Sequence, residues 1–410
     1  MSESIAIDKI DFRQDLYPRF DIDNEAVERY RLNIDALPPI TVSKNHILID
    51  GKHRLRAFQL SQRAEIPVEI LDITDETEIL KEAIKRNAIH GKQLDIKEKK
   101  ALAQKLFNQL SEQEMIQLFA VSKSSIYNWT EKLRAEQDEE EAQKIISLYL
   151  QCWTQERIAN EVGVDQKTVS NTLGKIPNLE KFLSPPESLQ RYDVWKFSTL
   201  DKTYGQDYPG RIPGQIIENI LWYWTKPKDI VCDPMVGGGT TIDVCKSMYR
   251  RYLGFDVNIV HDGAIKHDIK DGWPNIPETY EKADLVFMDP PYFKKKSVEY
   301  NLPEEYNTKK GFMEFAKTWV EFSKQAIARD GIVALLISDY VDYENFRESI
   351  FSYEYAELFT PHFDLLYKIS VPLSTQQYQA FHVTRAETNK QLLIIGRELY
   401  IFKNNGKISR

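Results

Sequence analysis

The run Asp229-Ile230-Val231-Cys232-Asp233-Pro234-Met235-Val236-Gly237-Gly238-Gly239-Thr240-Thr241 decides the fold. Ile230-Val231-Cys232 is short and apolar, the pattern of a strand buried in a parallel sheet. The glycines after it permit a tight turn in which the backbone comes close to a ligand. The helix expected from Ile242 points its first N–H groups at the same place. Taken alone, the turn is equally compatible with a dinucleotide loop or with a plain tight turn.

Moving outward, Arg251–Asp256 reads as a second strand, ending in a carboxylate that can accept both hydrogen bonds of a ribose diol. His267-Asp268-Ile269 sets Asp268 where it can meet an adenine amino group; the competing reading is a helix cap. Ala283–Met288 is a further buried strand and runs into Asp289-Pro290-Pro291-Tyr292. An amine on an aromatic ring is a poor nucleophile, because its lone pair is delocalised. Asp289 and the Pro290 carbonyl offer two acceptors for its protons, which favours a pyramidal nitrogen with a directed lone pair. The prolines stiffen the loop. Tyr292 offers a flat face on which an extruded base can stack, unless the segment is a turn with a core tyrosine.

The order of these motifs resembles the amino-methyltransferases that modify adenine N6 or cytosine N4 in DNA, over residues 195–400. Asp233, Pro234, Gly237, Gly238, Gly239 and Thr240 match a cofactor motif that often reads DPFxGxGTT, from which Met235 and Gly238 depart. Asp207–Gln215, with Pro213 and Gly214, resembles the segment that contacts the methionine part of the cofactor. The resemblance implies a Rossmann-like domain and S-adenosylmethionine as donor, with Asp256 and Asp268 as further cofactor residues and Asp289–Tyr292 as the catalytic loop. It favours adenine over cytosine, because cytosine enzymes more often begin the tetrapeptide with Ser. Lys294 and Lys295 would meet DNA phosphates beside Tyr292, or form a solvated loop. Gly331–Ser338 matches the next strand, and Lys368–Val371 with Gln391–Gly396 fit a closing antiparallel hairpin.

The N-terminal half reads as address. Ile49–Ala57 forms strand, glycine turn and helix, so Gly51–Arg54 makes an anion site of backbone N–H groups and a basic side chain. With Tyr17-Pro18-Arg19-Phe20 and Arg86-Asn87 it resembles the ParB/sulfiredoxin-like fold, which implies a nucleotide or phosphate there; a small α/β positioning module is the plainer alternative. Two helix-turn-helix patterns follow. In Thr154–Val169, Ala159 is small where helices cross, Gly163 permits the turn and Asp165 caps the second helix, leaving Gln166, Lys167, Ser170 and Asn171 to face a groove. Glu112–Trp129 repeats the plan, with Ser122 as cap and Lys123, Ser124, Tyr127 and Asn128 outward.

The expected architecture is therefore α/β. A ParB-like domain (1–92), an all-α helix-turn-helix region (93–177) and a linker (178–194) precede the Rossmann-like methyltransferase domain (195–410). The chain of 410 residues is 42% hydrophobic and 28% charged, the composition of an ordinary soluble protein. The opening MSESIAIDKIDF lacks the basic start and apolar stretch of a secretion signal, and no apolar run has the length of a membrane span. Cys152, Cys232 and Cys245 have neither metal-ligand nor disulfide spacing, which suits a reducing cytoplasm, and no metal is expected. A net charge of −8 weakens a nucleic-acid reading, but acid gathers at Glu136–Glu141 and base at Lys97–Lys100 and Lys294–Lys296. Double-stranded DNA is the expected partner, with room for a homodimer. The alternatives left open are a cytosine-N4 enzyme, an RNA or protein acceptor, and a nonenzymatic ParB-like DNA-binding regulator.

Overall fold

The computed structural model describes residues 3–89, 94–175, 179–197, 203–274, 281–293, 303–373 and 378–406. The chain divides into two compact units, Met1–Glu140 and Glu141–Arg410.

The first unit opens with β1 (Glu3–Ala6), α1 (Asn24–Leu32), β2 (Ile40–Ser43), β3 (Leu48–Asp50), α2 (Lys52–Leu60), β4 (Glu65–Leu71) and α3 (Glu76–Ile89). Its sheet has the order β1-β4-β2-β3; β2 and β4 are parallel and the other pairs antiparallel. Ile66 and Val68 alternate inward from β4 and meet Ile5, Val42, Leu55 and Phe58 in one core. α4 (Ile96–Lys105) and α5 (Glu112–Phe119) follow, then α6 (Lys123–Leu150), which runs on into the second unit. Ser111 and Glu114 start α5 with a reciprocal capping box.

The second unit holds α7 (Gln155–Val162), α8 (Gln166–Gly174), α9 (Gly214–Trp224), β5 (Ile230–Asp233), α10 (Thr240–Ser247), β6 (Arg251–Asp256) and β7 (Ala264–Lys266). Then come β8 (Ala283–Met288), α11 (Lys309–Ala326), β9 (Ile327–Ser338), α12 (Ser352–Phe359), β10 (Asp364–Ser370), α13 (Ala380–Asn389) and β11 (Arg397–Lys403). Seven strands pair in the order β10-β11-β9-β8-β5-β6-β7. β9, β8, β5, β6 and β7 are parallel, whereas β11 runs antiparallel to both of its neighbours.

The side-chain period of two explains the layering. Cys232, Val286, Met288, Val333 and Leu335 face one layer with Phe312, Trp319 and Phe322 of α11. Val231, Leu285, Phe287, Ala334 and Leu336 face the other, with Ile216 and Ile220 of α9 and Val244 of α10. The expected Rossmann-like α/β domain is thus present, with helices on both faces of a mostly parallel sheet.

Two expectations need correction. The helix after the glycine loop starts at Thr240, not Ile242. Gln391–Gly396 is not a strand: Leu392 is 80% exposed, and the antiparallel partner of β10 is Arg397–Lys403. Only the later segment serves a strand buried on both sides, placing Leu399 and Ile401 on one face and Tyr400 and Phe402 on the other. α13 also lies between the two strands, so they do not form a direct hairpin.

The second helix-turn-helix has its expected local form. Thr154 and Asp165 cap α7 and α8, Gly163 is left-handed at φ +81°, and Ile158, Ala159, Val169 and Leu173 form a small core with Ile145. Leu150 and Cys152, just ahead of it, pack among the sheet residues of this unit.

Candidate active site

The parallel strands β5, β6 and β8 end at one edge of the sheet, where crossover connections leave a crevice. A cavity of about 340 Å³ opens there, within the usual size of small-ligand sites. Its walls include Asp233, Pro234, Gly237, Gly238 and Thr240 from the first turn, Asp256 and Asp268 from the next two, and Asp289 and Pro291 after β8.

The acids do different work. Asp256 sits at the wall, where Oδ2 accepts the Gly237 N–H at 2.8 Å and Oδ1 the Asn258 N–H at 2.9 Å. Each oxygen keeps lone-pair capacity, and burial raises the carboxyl pKa. Asp233 is 4% exposed, and both of its oxygens are engaged by the loop itself. Thr241 Oγ1 donates to Oδ2 at 2.6 Å, and the Met235 N–H to Oδ1 at 3.0 Å. Burial pushes Asp233 up to about 7. Asp268 accepts the Lys270 N–H at 3.0 Å and pairs with its ammonium at 3.2 Å, so it caps a short turn while lining the cavity.

The glycine loop is pressed from outside. Gln206 N–H donates to the Gly238 carbonyl at 2.7 Å, and a Cβ on Gly238 would stand 2.8 Å from Tyr208 Cβ and 2.9 Å from the Gln206 carbonyl. Asp243 joins the pieces, accepting the Gly205 N–H at 2.9 Å and meeting His261 Nε2 at 3.1 Å. Tyr208–Ile212 line the cavity, whereas Pro213 and Gly214 begin α9. Gly239 caps α10 against the His261 ring.

Asp289 follows β8, with its carboxyl pushed up to about 6 by burial, against the opposing influence of Arg397. The Tyr292 hydroxyl donates to Asp289 Oδ1 at 2.8 Å. Pro290 is buried, and the Tyr292 ring packs on the core that contains Phe293 and Phe312. Among the described residues, the rings that line the cavity are Tyr208, Phe287, Tyr306, Phe315 and the His267 imidazole. Tyr306 stacks on Phe315 with centroids 4.7 Å apart. Tyr306 and Arg397 stand outside a recognisable motif and only the fold brings them to the site, whereas Lys270 comes with Asp268, two residues before it.

Lys123, Ser124, Tyr127 and Asn128 are exposed on the first turns of α6, with Lys123 paired to Glu112 at 2.9 Å. Gln166, Lys167, Ser170 and Asn171 are exposed along α8. Lys294 and Lys295 lie outside the described residues. At the Gly51 turn, Arg54 donates to the Pro38 and Pro39 carbonyls and pairs with Asp50, while the Lys52 ammonium reaches Gln14 Oε1 and the carbonyls of Arg19 and Phe20. Both cations therefore already have internal partners. Among the described residues, no group of His, Cys, Asp and Glu side chains is placed to hold a metal, and no helix is long and apolar enough to cross a membrane.

Comparison with known protein families covers the N-terminal half and the glycine-loop side of the site, and it stops before Asp289. The DNA methylase family matches residues 61–264, which take in the glycine loop and Asp256, and the ParB N-terminal domain family matches residues 2–88. Type II methyltransferase M.BglII of Bacillus subtilis is 37% identical over 67 residues, 16% of this chain and 19% of that protein. Type II methyltransferase M2.LlaDCHI of Lactococcus lactis subsp. cremoris is 38% identical over 69 residues, 16% of this chain and 26% of that protein. The chain thus covers only a minor part of the length of these curated relatives. Among solved structures, the C-terminally truncated ParB from Caulobacter crescentus complexed to the centromeric parS site is 17% identical, covering 42% of this chain and 100% of that one at a TM-score of 0.25. By these matches the chain is similar to the DNA methylase family over residues 61–264 and to the ParB N-terminal domain family over residues 2–88.

Proposed function

We propose that this protein transfers a methyl group from S-adenosylmethionine to the exocyclic amine of a flipped base in double-stranded DNA, adenine N6 being favoured, and that its N-terminal half helps deliver it to DNA. The observation that carries the reading is that Asp256 and Asp289, from the ends of two different strands, face one cavity with the glycine loop between them.

The residues fit this donor by the chemistry of their groups. Asp256 presents two oxygens, each with one backbone N–H already bound, to a diol that needs acceptors. Gly237 and Gly238 bring bare backbone to the cavity wall, and α10 starts directly after them. S-adenosylmethionine supplies a methyl group activated by a positively charged sulfur. Asp289 and the Pro290 carbonyl would hold the acceptor amine by its two protons and direct its lone pair, so catalysis rests on positioning and electrostatics. Adenine is favoured because the loop begins with Asp where cytosine enzymes more often carry Ser.

Radiolabelled S-adenosylmethionine, plasmid DNA and the full chain give a direct test, read by mass spectrometry of the digested nucleosides. N6-methyladenine is expected. N4-methylcytosine would change the base. Label in RNA or protein, with none in DNA, would overturn the reading.

A further inference from the structure

Arg397 is 5% exposed, at the first residue of β11. A guanidinium is always charged and only donates, so a buried one has to be matched by acceptors. Nε donates to the Val371 carbonyl at 3.0 Å, and the Val371 N–H returns to the Arg397 carbonyl at 2.7 Å, which fixes both ends of the side chain's root. The same guanidinium acts electrostatically on the Tyr292 hydroxyl, which itself donates to Asp289 Oδ1 at 2.8 Å.

Topology makes this meeting. β8 and β9 are parallel, with Met288 beside Leu335, and Arg397 lies opposite Ser338 on the antiparallel β11. The first residue of the reversed strand therefore stands at the edge where the parallel strands end, beside the loop that follows β8.

The direction of the hydrogen bonds follows from the groups. Arginine cannot accept, so the phenolic proton of Tyr292 cannot turn toward it and goes to the carboxylate. One oxygen of Asp289 is thereby occupied from within the protein. We propose that Arg397 is a positioning residue of the active loop: anchored on the Val371 carbonyl, it holds the Tyr292 hydroxyl so that its proton caps Asp289 Oδ1, leaving Oδ2 and the Pro290 carbonyl for the two protons of the acceptor amine. This rests on the methyl-transfer reading given above and assigns the loop a support on another strand.

Among the described residues, the charged and titratable groups that bear on Asp289 are Arg397 from β11, Tyr292 from its own loop and Asp233 from β5. Arg397 is the cation among them and opposes the upward shift that burial imposes on Asp289. Since Asp289 must be ionised to accept from the amine, the acid limb of kcat/KM for the wild type should fall near pH 6.

Arg397→Gln should raise that limb by about one pH unit and lower kcat about 10- to 100-fold, with S-adenosylmethionine affinity little changed. Arg397→Lys keeps the charge but not the fork, so it should restore the acid limb and only part of kcat. Tyr292→Phe should also reduce kcat, and adding Arg397→Gln to it should cost much less than in the wild type. A wild-type pH profile and kcat in Arg397→Gln, or full additivity with Tyr292→Phe, would overturn the proposal. A second measurement needs no turnover: 3-fluorotyrosine at position 292, read by fluorine NMR, should titrate with Asp289, and the midpoint should rise in Arg397→Gln. An unmoved midpoint would reject the role of Arg397 even if no methyl transfer occurs. Absent DNA methylation by the wild type, together with a moved midpoint, would reject the methyl-transfer reading alone.

Discussion

Asp256 Oδ2 accepts the backbone N–H of Gly237 at 2.8 Å, so the acid that ends one strand also fixes the turn that follows its neighbour. The carboxylate thereby joins two walls of the cavity. Asp256→Ala removes an acceptor and releases that N–H. Loss of hydrogen bonds to a charged group costs about 1.5–3 kcal/mol, so affinity for S-adenosylmethionine should fall about 10- to 100-fold. Titration calorimetry reads this, and unchanged affinity would move the cofactor site elsewhere.

Asp233 carries a signature in stability. Its folded pKa is raised from 3.8 to about 7, chiefly by burial. The neutral acid is thus the form the fold prefers. Its contribution is full below about pH 4 and is lost as the pH rises through about 7. The melting temperature of the wild type should therefore fall across that window relative to Asp233→Asn, which cannot ionise. Parallel curves for the two proteins would refute the assignment.

Lys167 is exposed near the start of α8, so Lys167→Ala should leave the melting temperature unchanged. If its ammonium meets a DNA phosphate, the slope of log affinity against log salt should fall by about 0.9. Fluorescence anisotropy with duplex DNA across a potassium chloride series measures this. An unchanged slope would take Lys167 off the interface.

Truncation distinguishes the cores. A fragment starting at Glu141 keeps Leu150 and Cys152, which pack among the sheet residues of the second unit. One starting at Tyr192 loses both, and the loss of a buried leucine alone typically costs about 2–5 kcal/mol. Calorimetric scans should show the shorter fragment melting well below the longer. Equal melting temperatures would mean that the segment adds nothing to that core.

Legibility in the sequence followed locality. Arg251–Asp256 and Ala283–Met288 form the strands their apolar runs announce, because charged or turn residues bound them. Thr154, Gly163 and Asp165 act within one turn of their own position, so caps and turn were readable. Gln391–Gly396 misled because an apolar run says nothing about register, and Arg397–Lys403 wins by burying both faces between β9 and β10. Asp233 matched a cofactor motif, yet Thr241 and Met235 engage both of its oxygens, so it braces the loop. Arg397 and Tyr306 reach the site by topology alone, which no local pattern encodes.

The central claim is that Asp289 holds the amine that receives the methyl group. The most direct measurement is modified-base sequencing of genomic DNA from cells expressing the full chain, beside cells expressing Asp289→Ala at equal level. The wild type should leave N6-methyladenine at a recurring sequence, and the variant should leave none while still binding S-adenosylmethionine in calorimetry. The same modified positions in both samples, or none with the wild type, would contradict it.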